Sequence, residues 1–127
     1  MNYLLDTHSF LWFITADNKL SEKAKETIED LDTKVYVSLI SFWEIAIKIK
    51  IGKLEIKYEF SELFNEALKS DIAILPLEKS DLIQLDLLDL IHSDPFDRMI
   101  IAQAISNDLM VITKEVVFKL YPIKVLW

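Results

Sequence analysis

Four acidic side chains stand where carboxylates do chemistry rather than merely carry water. Asp6 follows the apolar run Tyr3-Leu4-Leu5, and Glu44 sits inside Ser41-Phe42-Trp43-Glu44-Ile45-Ala46-Ile47-Lys48. Asp97 lies in His92-Ser93-Asp94-Pro95-Phe96-Asp97-Arg98, and Glu115 follows Leu109-Met110-Val111-Ile112-Thr113. Asp94 stands just ahead of the third. Carboxylates gathered at one place repel one another and are costly to desolvate. A hard divalent cation with oxygen ligands is the usual reason to gather them.

Each acid also has a plainer role. Asp6 fits the N-cap of a following helix. Ser41, Glu44 and Lys48 form the one polar stripe of an otherwise apolar helix, so Glu44 either pairs with Lys48 in solvent or is aimed at a cleft. Asp94-Pro95-Phe96-Asp97 reads as a helix start, with acid at the N-cap and proline at the first helical position, and capping of that kind contributes ~0.5–2 kcal/mol. Glu115 fits the first turn of a helix. Capping does not exclude a ligand role, because a helix N-terminus at a cleft serves both. His8 and His92 are ligands, bases or structural residues. Arg98 is placed to grip a phosphate or to pair with Asp94, and Lys48, Lys50, Lys53 and Lys57 form a local basic strip.

The elements that must position these groups are legible from periodicity. Residues 2–5, 35–38, 72–75, 109–112 and 123–126 read as short strands. Residues 8–15, 21–31, 40–51, 59–70, 80–90 and 95–107 read as helices, with a helical turn near 115–120. Ser21 is an N-cap candidate, Gly52 a natural stop for the third helix, and Pro76 ends the third strand. Short, wholly apolar strands alternating with helices specify a parallel sheet covered on both faces. Ligands of such sheets bind beyond the carboxyl ends of the strands, where Asp6, Thr113 and Glu115 fall and where Glu44 and Asp97 follow on helices.

Composition narrows the chemistry. With 127 residues and no linker or repeat, a single domain over 1–127 is expected. The chain has no Cys, two His and one Gly. That excludes thiolate chemistry, zinc fingers, all-His zinc sites and the glycine-rich phosphate loops. The net charge of −7 is unlike that of a general nucleic-acid binder, so any attraction for phosphate must come from metal and a local basic strip. No apolar stretch approaches the ~20 residues of a membrane span. No signal-peptide pattern is present, so a soluble, cytoplasmic protein is expected. The hydrophobic share of 52% leaves room for an apolar surface patch that meets a partner.

At these residues the chain resembles the PIN-domain nucleases, in particular the VapC-like toxins of bacterial toxin–antitoxin pairs. The matching pieces run in order from Leu4-Leu5-Asp6-Thr7-His8 with Leu11-Trp12, through Ser38 and Glu44-Ile45-Ala46-Ile47-Lys48 with Gly52-Lys53-Leu54, to His92-Ser93-Asp94-Pro95-Phe96-Asp97-Arg98 with Ala102-Gln103-Ala104. They close with Ile112-Thr113-Lys114-Glu115, Phe118, Tyr121 and Val125-Leu126-Trp127. The resemblance implies a three-layer α/β sandwich around a parallel sheet of about five strands. It also implies metal-dependent cleavage of RNA, a small cognate antitoxin that blocks the site, and a homodimer. By position Asp6, Glu44 and Asp97 become the three main acids, and Asp94 matches the family's variant with two acids in this loop. Glu115 stands where the family usually has Asp, and its extra methylene carries the carboxylate further from the backbone.

The expected cofactor is Mg²⁺ or Mn²⁺, held by Asp6, Asp97, Glu44 and Glu115, since every donor is an oxygen. Asp6, Glu44, Asp97 and Asp94 form the expected catalytic set. Ser38 or Thr113 would hydrogen-bond a carboxylate, and Arg98, Lys48, Lys53 and Thr113 would contact substrate. Two other classes compete. A receiver-like signalling domain also uses strand-end acids with one Mg²⁺, but Ser38 and Leu75 occupy the strand ends where its phosphoacceptor Asp belongs. A PIN-fold binding protein with little catalysis is the second. An aspartate-nucleophile phosphatase needs a second Asp two residues after the first, where this chain has His8.

Overall fold

A computed structural model describes all 127 residues. The chain runs β1 (Asn2–Leu5), α1 (Thr7–Ile14), α2 (Glu22–Glu29), β2 (Lys34–Ser38), α3 (Leu39–Lys50) and α4 (Glu62–Lys69). It continues β3 (Ile72–Leu75), α5 (Lys79–Leu87), α6 (Pro95–Ser106), β4 (Met110–Ile112), a 3₁₀ turn (Val116–Leu120) and β5 (Val125–Leu126). The sheet order is β3-β2-β1-β4-β5, and every pairing is parallel. Leu4 pairs with Tyr36 on one side and Val111 on the other, so β1 is the central strand.

Strands buried on both faces explain the unbroken apolar runs. Tyr3, Leu5, Val35, Val37 and Ile112 point into a core closed by Phe10 and Leu11 of α1, Ala24 and Ile28 of α2, Phe42 and Ile45 of α3, and Leu63 and Ala67 of α4. Leu4 and Val111 point the other way, against Ile100, Ile101 and Ala104 of α6 and Phe118 of the 3₁₀ turn. The result is a three-layer α/β sandwich. A smaller cluster of Ile40, Met99 and Ala102 joins α3 to α6 at the edge between layers. No helix is long and apolar enough to cross a membrane.

The order 3-2-1-4-5 reverses direction between β1 and β4, and that reversal opens a crevice at their carboxyl ends. A receiver-type domain has the order 2-1-3-4-5. The observed topology therefore removes that reading.

Helix ends show how a chain with one glycine turns its corners. Gly52 (φ 75°) follows α3, its N–H donating to Ile49 O while Lys53 N–H reaches back to Lys48 O. This double-bonded cap folds Lys53 and Leu54 back beside Lys48. Asp71 and Asp108 take the same left-handed turn after α4 and α6, with φ of 56° and 52°. Asp tolerates that region better than most residues. Several element ends differ from the sequence expectation: the helices expected over 21–31 and 80–90 stop at Glu29 and Leu87. The helix expected over 59–70 begins at Glu62, because Phe60 and Ser61 form a preceding turn. The last strand contracts to Val125–Leu126, since the Ile123 N–H is spent on Tyr121 O at 2.8 Å in the turn before it.

Candidate active site

Asp6 is the first residue beyond the central strand and is 2% exposed. It is the N-cap of α1, its Oδ1 accepting from Ser9 N–H at 2.8 Å. Its Oδ2 accepts from Thr113 Oγ1 at 2.6 Å, across the reversal point from the end of β4. Ser9 Oγ in turn donates to Ile112 O at 3.1 Å, locking α1 to β4. Burial pushes the Asp6 carboxyl above the ordinary range. The hydrogen bonds from Ser9 and Thr113 and the nearby His8 oppose that shift in part.

Glu44 is 4% exposed, so the polar stripe of α3 faces inward. Its Oε1 lies 2.6 Å from Thr7 Oγ1, which is also 2.9 Å from Ser41 Oγ. Thr7 has a single hydroxyl hydrogen, and the shorter, charge-assisted contact to the carboxylate takes it. Lys48 Nζ meets Glu44 Oε2 at 2.9 Å from a half-buried position. Both plain readings of the stripe are thus combined: the i,i+4 pair exists, but its acid is buried.

Asp94 caps α6 through Phe96 N–H and Asp97 N–H, at 2.9 and 3.1 Å. Asp97, one turn in, places Oδ2 2.9 Å from His92 Nε2, which carries the donated hydrogen when the carboxyl is ionised. Burial pushes the Asp97 carboxyl up to about 6. His92 opposes the shift, and the charges of Asp94, Asp6 and Glu44 add to it. These four acids therefore share one electrostatic neighbourhood at the crevice.

They do not, however, converge as direct ligands: no group of three His or acidic side chains is arranged to hold a metal ion. The expectation of one preformed shared cage is corrected to that extent. The reason is local compensation. Bare carboxylates packed together would be unstable, so donors within the chain take them up: Ser9 and Thr113 for Asp6, Thr7 and Lys48 for Glu44, His92 for Asp97. Glu115 is exposed, starts the 3₁₀ turn and caps nothing with its side chain, while its N–H donates to Thr113 Oγ1 at 3.0 Å.

Two of the expected substrate contacts are engaged within the chain. Thr113 is 1% exposed, and its hydroxyl donates to Asp6. Arg98 does not reach Asp94. Its guanidinium donates to Asp89 O at 2.8 Å, Leu88 O at 3.3 Å and Tyr121 Oη at 3.3 Å. Tyr121 Oη also accepts from Ile91 N–H and His92 N–H, at 3.1 and 2.8 Å. Arg98 and Tyr121 together brace the loop that delivers His92 to Asp97. Ser38, the other expected hydroxyl partner, caps α3 through Ile40 N–H instead. Lys48 and Lys53 remain beside the acids, lining with Thr7 and His8 a small pocket of about 230 Å³.

Sequence reading passed over Thr7, Ser9, Tyr121 and the His92–Asp97 pair. Thr7 follows Asp6 and lies 37 residues from Glu44, so nothing local marks it. The bracing role gives a stability prediction. Tyr121→Phe leaves two loop N–H groups without their acceptor and is expected to lower unfolding free energy by about 1–3 kcal/mol, measured by urea denaturation.

The raised Asp97 carboxyl gives a pH prediction for protein free of divalent cations. A carboxyl whose folded pKa is about 6 against an ordinary 3.8 binds its proton more tightly in the folded chain. Folding is therefore favoured as pH falls through 6 towards 3.8, and this gain is absent above that window. The melting temperature of the wild type is expected to rise relative to Asp97→Asn between pH 7 and pH 4. A difference constant over that range would remove the shift.

Comparison with known families and structures agrees with the geometry. The PIN domain matches residues 3–124. The VapBC2 complex of Rickettsia felis, solved on a DNA fragment from its promoter, is similar with TM-score 0.74 and 18% identity over 99% of this chain and 98% of that one. VapBC-1 of nontypeable Haemophilus influenzae follows with TM-score 0.70 and 18% identity over 99% and 97%. FitAcB of Neisseria gonorrhoeae has TM-score 0.64 and 20% identity over 98% and 96%. At these identities the likeness is one of fold. No curated protein sequence matches the chain. A family match over nearly every residue, on a 3-2-1-4-5 parallel sheet with its acids at the reversal point, makes this chain a member of the PIN-domain family.

Proposed function

We propose that the chain is an Mg²⁺- or Mn²⁺-dependent endoribonuclease, the toxin of a toxin–antitoxin pair, restrained by a small cognate antitoxin. The observation that carries this reading is the placement of the acids at the crevice between β1 and β4: Asp6 is buried beyond the central strand and held by Thr113 from the end of β4, and Glu44 is buried against Thr7, the next residue after Asp6. Such a set fits a hard divalent cation. Every donor is oxygen, two of the acids are almost fully buried, and only the basic side chains of Lys48, His8 and His92 stand against them. Asp6 and Asp97 would hold the ion, with Glu44 beside them and Asp94 and Glu115 at the margin. When bound, the ion polarises the scissile phosphodiester and acidifies a water.

The residues of the chain do the remainder. Ser9 and Thr113 keep both oxygens of Asp6 fixed, so its lone pairs face the crevice in one orientation. Thr7 and Lys48 hold Glu44, which orients a water and accepts its proton. His92 holds Asp97 until the acids are neutralised. Lys48 and Lys53 attract the phosphate chain despite the net charge of −7. A further similar structure, with TM-score 0.65 and 20% identity, is a toxin–antitoxin complex from Klebsiella pneumoniae, which supports an antitoxin partner. The row Leu39, Trp43, Ile47 and Ile51 along α3 is exposed, Trp43 at 60%, and supports a self-associating face for a homodimer.

The test is sequencing of cellular RNA ends after brief expression. New ends are expected with the wild type and none with Asp6→Asn. Identical ends in both would overturn the nuclease reading. A silent wild type whose Glu115→Asp variant cleaves would instead mark a binding protein that has lost its chemistry.

A further inference from the structure

The small pocket beside the acids is one end of a longer channel. His8, Leu11 and Leu54 line both it and a groove of about 830 Å³ between α1 and the segment after α3. Trp12 and Tyr58 are among the residues that line the groove. The Trp12 ring stacks on His8 with centroids 5.5 Å apart and 16° between planes, and Trp127 fixes it from the side at 6.0 Å. Tyr58 Oη donates to Ile14 O at 3.4 Å, which holds that ring across the groove. Lys19 and Lys57 stand along its length, as Lys48 and Lys53 do at the end beside Glu44. Four lysines thus line the channel, Lys48 paired with Glu44 and the other three against Asp17 and Glu55, in a chain whose net charge is −7. Asp17 already accepts from Lys19 N–H at 2.9 Å.

We propose that this channel is the track for the single-stranded RNA flanking the scissile phosphate, with bases against Trp12 and Tyr58 and phosphates along Lys53, Lys57 and Lys19. The proposal rests on the ribonuclease reading and extends it from the bond cut to the strand held. A cationic groove combined with stacking rings is how single strands are gripped without base-specific hydrogen bonds. Continuity with the catalytic crevice argues for substrate over a protein segment. The small pocket that shares its wall with the groove is lined by Thr7 and Lys48, which both touch Glu44.

The experiment uses the full-length Asp6→Asn protein without divalent cations and a short fluorescent single-stranded oligoribonucleotide, read by anisotropy at several salt concentrations. Lys19→Glu/Lys57→Glu changes two exposed side chains, so folding is preserved. It is expected to weaken binding about tenfold or more and to reduce the salt slope by about one or more. Trp12→Ala is expected to weaken binding about tenfold, with circular dichroism confirming its fold. Unchanged affinity and slope in the lysine variant overturn the track. So does a variant that binds RNA normally but escapes inhibition by the antitoxin, which would give the groove to the protein partner. If the wild type still cleaves RNA, only the track falls. If the wild type leaves RNA intact and Asp6→Asn binds none, the ribonuclease reading falls as well.

Discussion

Asp6→Asn is expected to lower the rate of divalent-cation-dependent RNA cleavage by well over about 10²-fold while leaving the fold intact or slightly more stable. The size follows from position. Loss of groups that merely support metal ligands commonly reduces function ~10–100-fold, and Asp6 is proposed as a ligand itself. The stability sign follows from burial. Desolvation pushes the Asp6 carboxyl up, so its ionised form is disfavoured in the folded chain, and a neutral amide avoids that penalty. The amide still accepts from Ser9 N–H, and its NH₂ meets the Thr113 hydroxyl, which has lone pairs to accept it. Cleavage assays and thermal melts on the same preparation check both halves. A variant that melts far below the wild type would show that Asp6 matters for folding rather than chemistry.

Thr113→Val is expected to behave in the opposite way. Valine keeps the shape but removes a 2.6 Å hydrogen bond from a buried carboxylate and the acceptor for Glu115 N–H. Hydrogen bonds to charged groups contribute about 1.5–3 kcal/mol, so a loss of that order in unfolding free energy is expected at pH 7. Cleavage should fall too, since Asp6 loses the contact that orients it. In the Asp6→Asn background the bond is between neutral groups, so the loss should shrink towards ~0.5–1.5 kcal/mol. The double-mutant cycle measures the difference directly. Equal losses in the two backgrounds would mean that Thr113 acts by packing alone.

These two residues also show what the sequence made legible. Asp6 was visible because a short apolar run followed by an acid marks the end of a central parallel strand. Glu44 was visible because one polar stripe in an apolar helix must face something. Asp94 and Asp97 declared themselves through the proline-containing helix start. Periodicity likewise gave the element order and the two covered faces, while the five-strand count came from family resemblance. The supporting donors stayed hidden because they are matched across the fold. Thr7 finds Glu44 only when α1 packs on α3, and Tyr121 meets the loop at 88–92 only when the chain's end returns. Arg98 looked like a phosphate grip because its neighbours in sequence are acidic. The loop carbonyls that capture it are set by tertiary geometry alone. The direct cage failed to appear for a related reason: residue types predict charge, but side-chain rotamers answer to the donors nearest them.

A titration of Mn²⁺ followed by electron paramagnetic resonance tests the central claim most directly, because it sees the ion itself and needs no substrate. The account predicts a saturable site in the wild type that is lost in Asp6→Asn and in Asp97→Asn, both variants remaining folded. Equal Mn²⁺ binding by the wild type and both variants, or no binding by any of them, would contradict it.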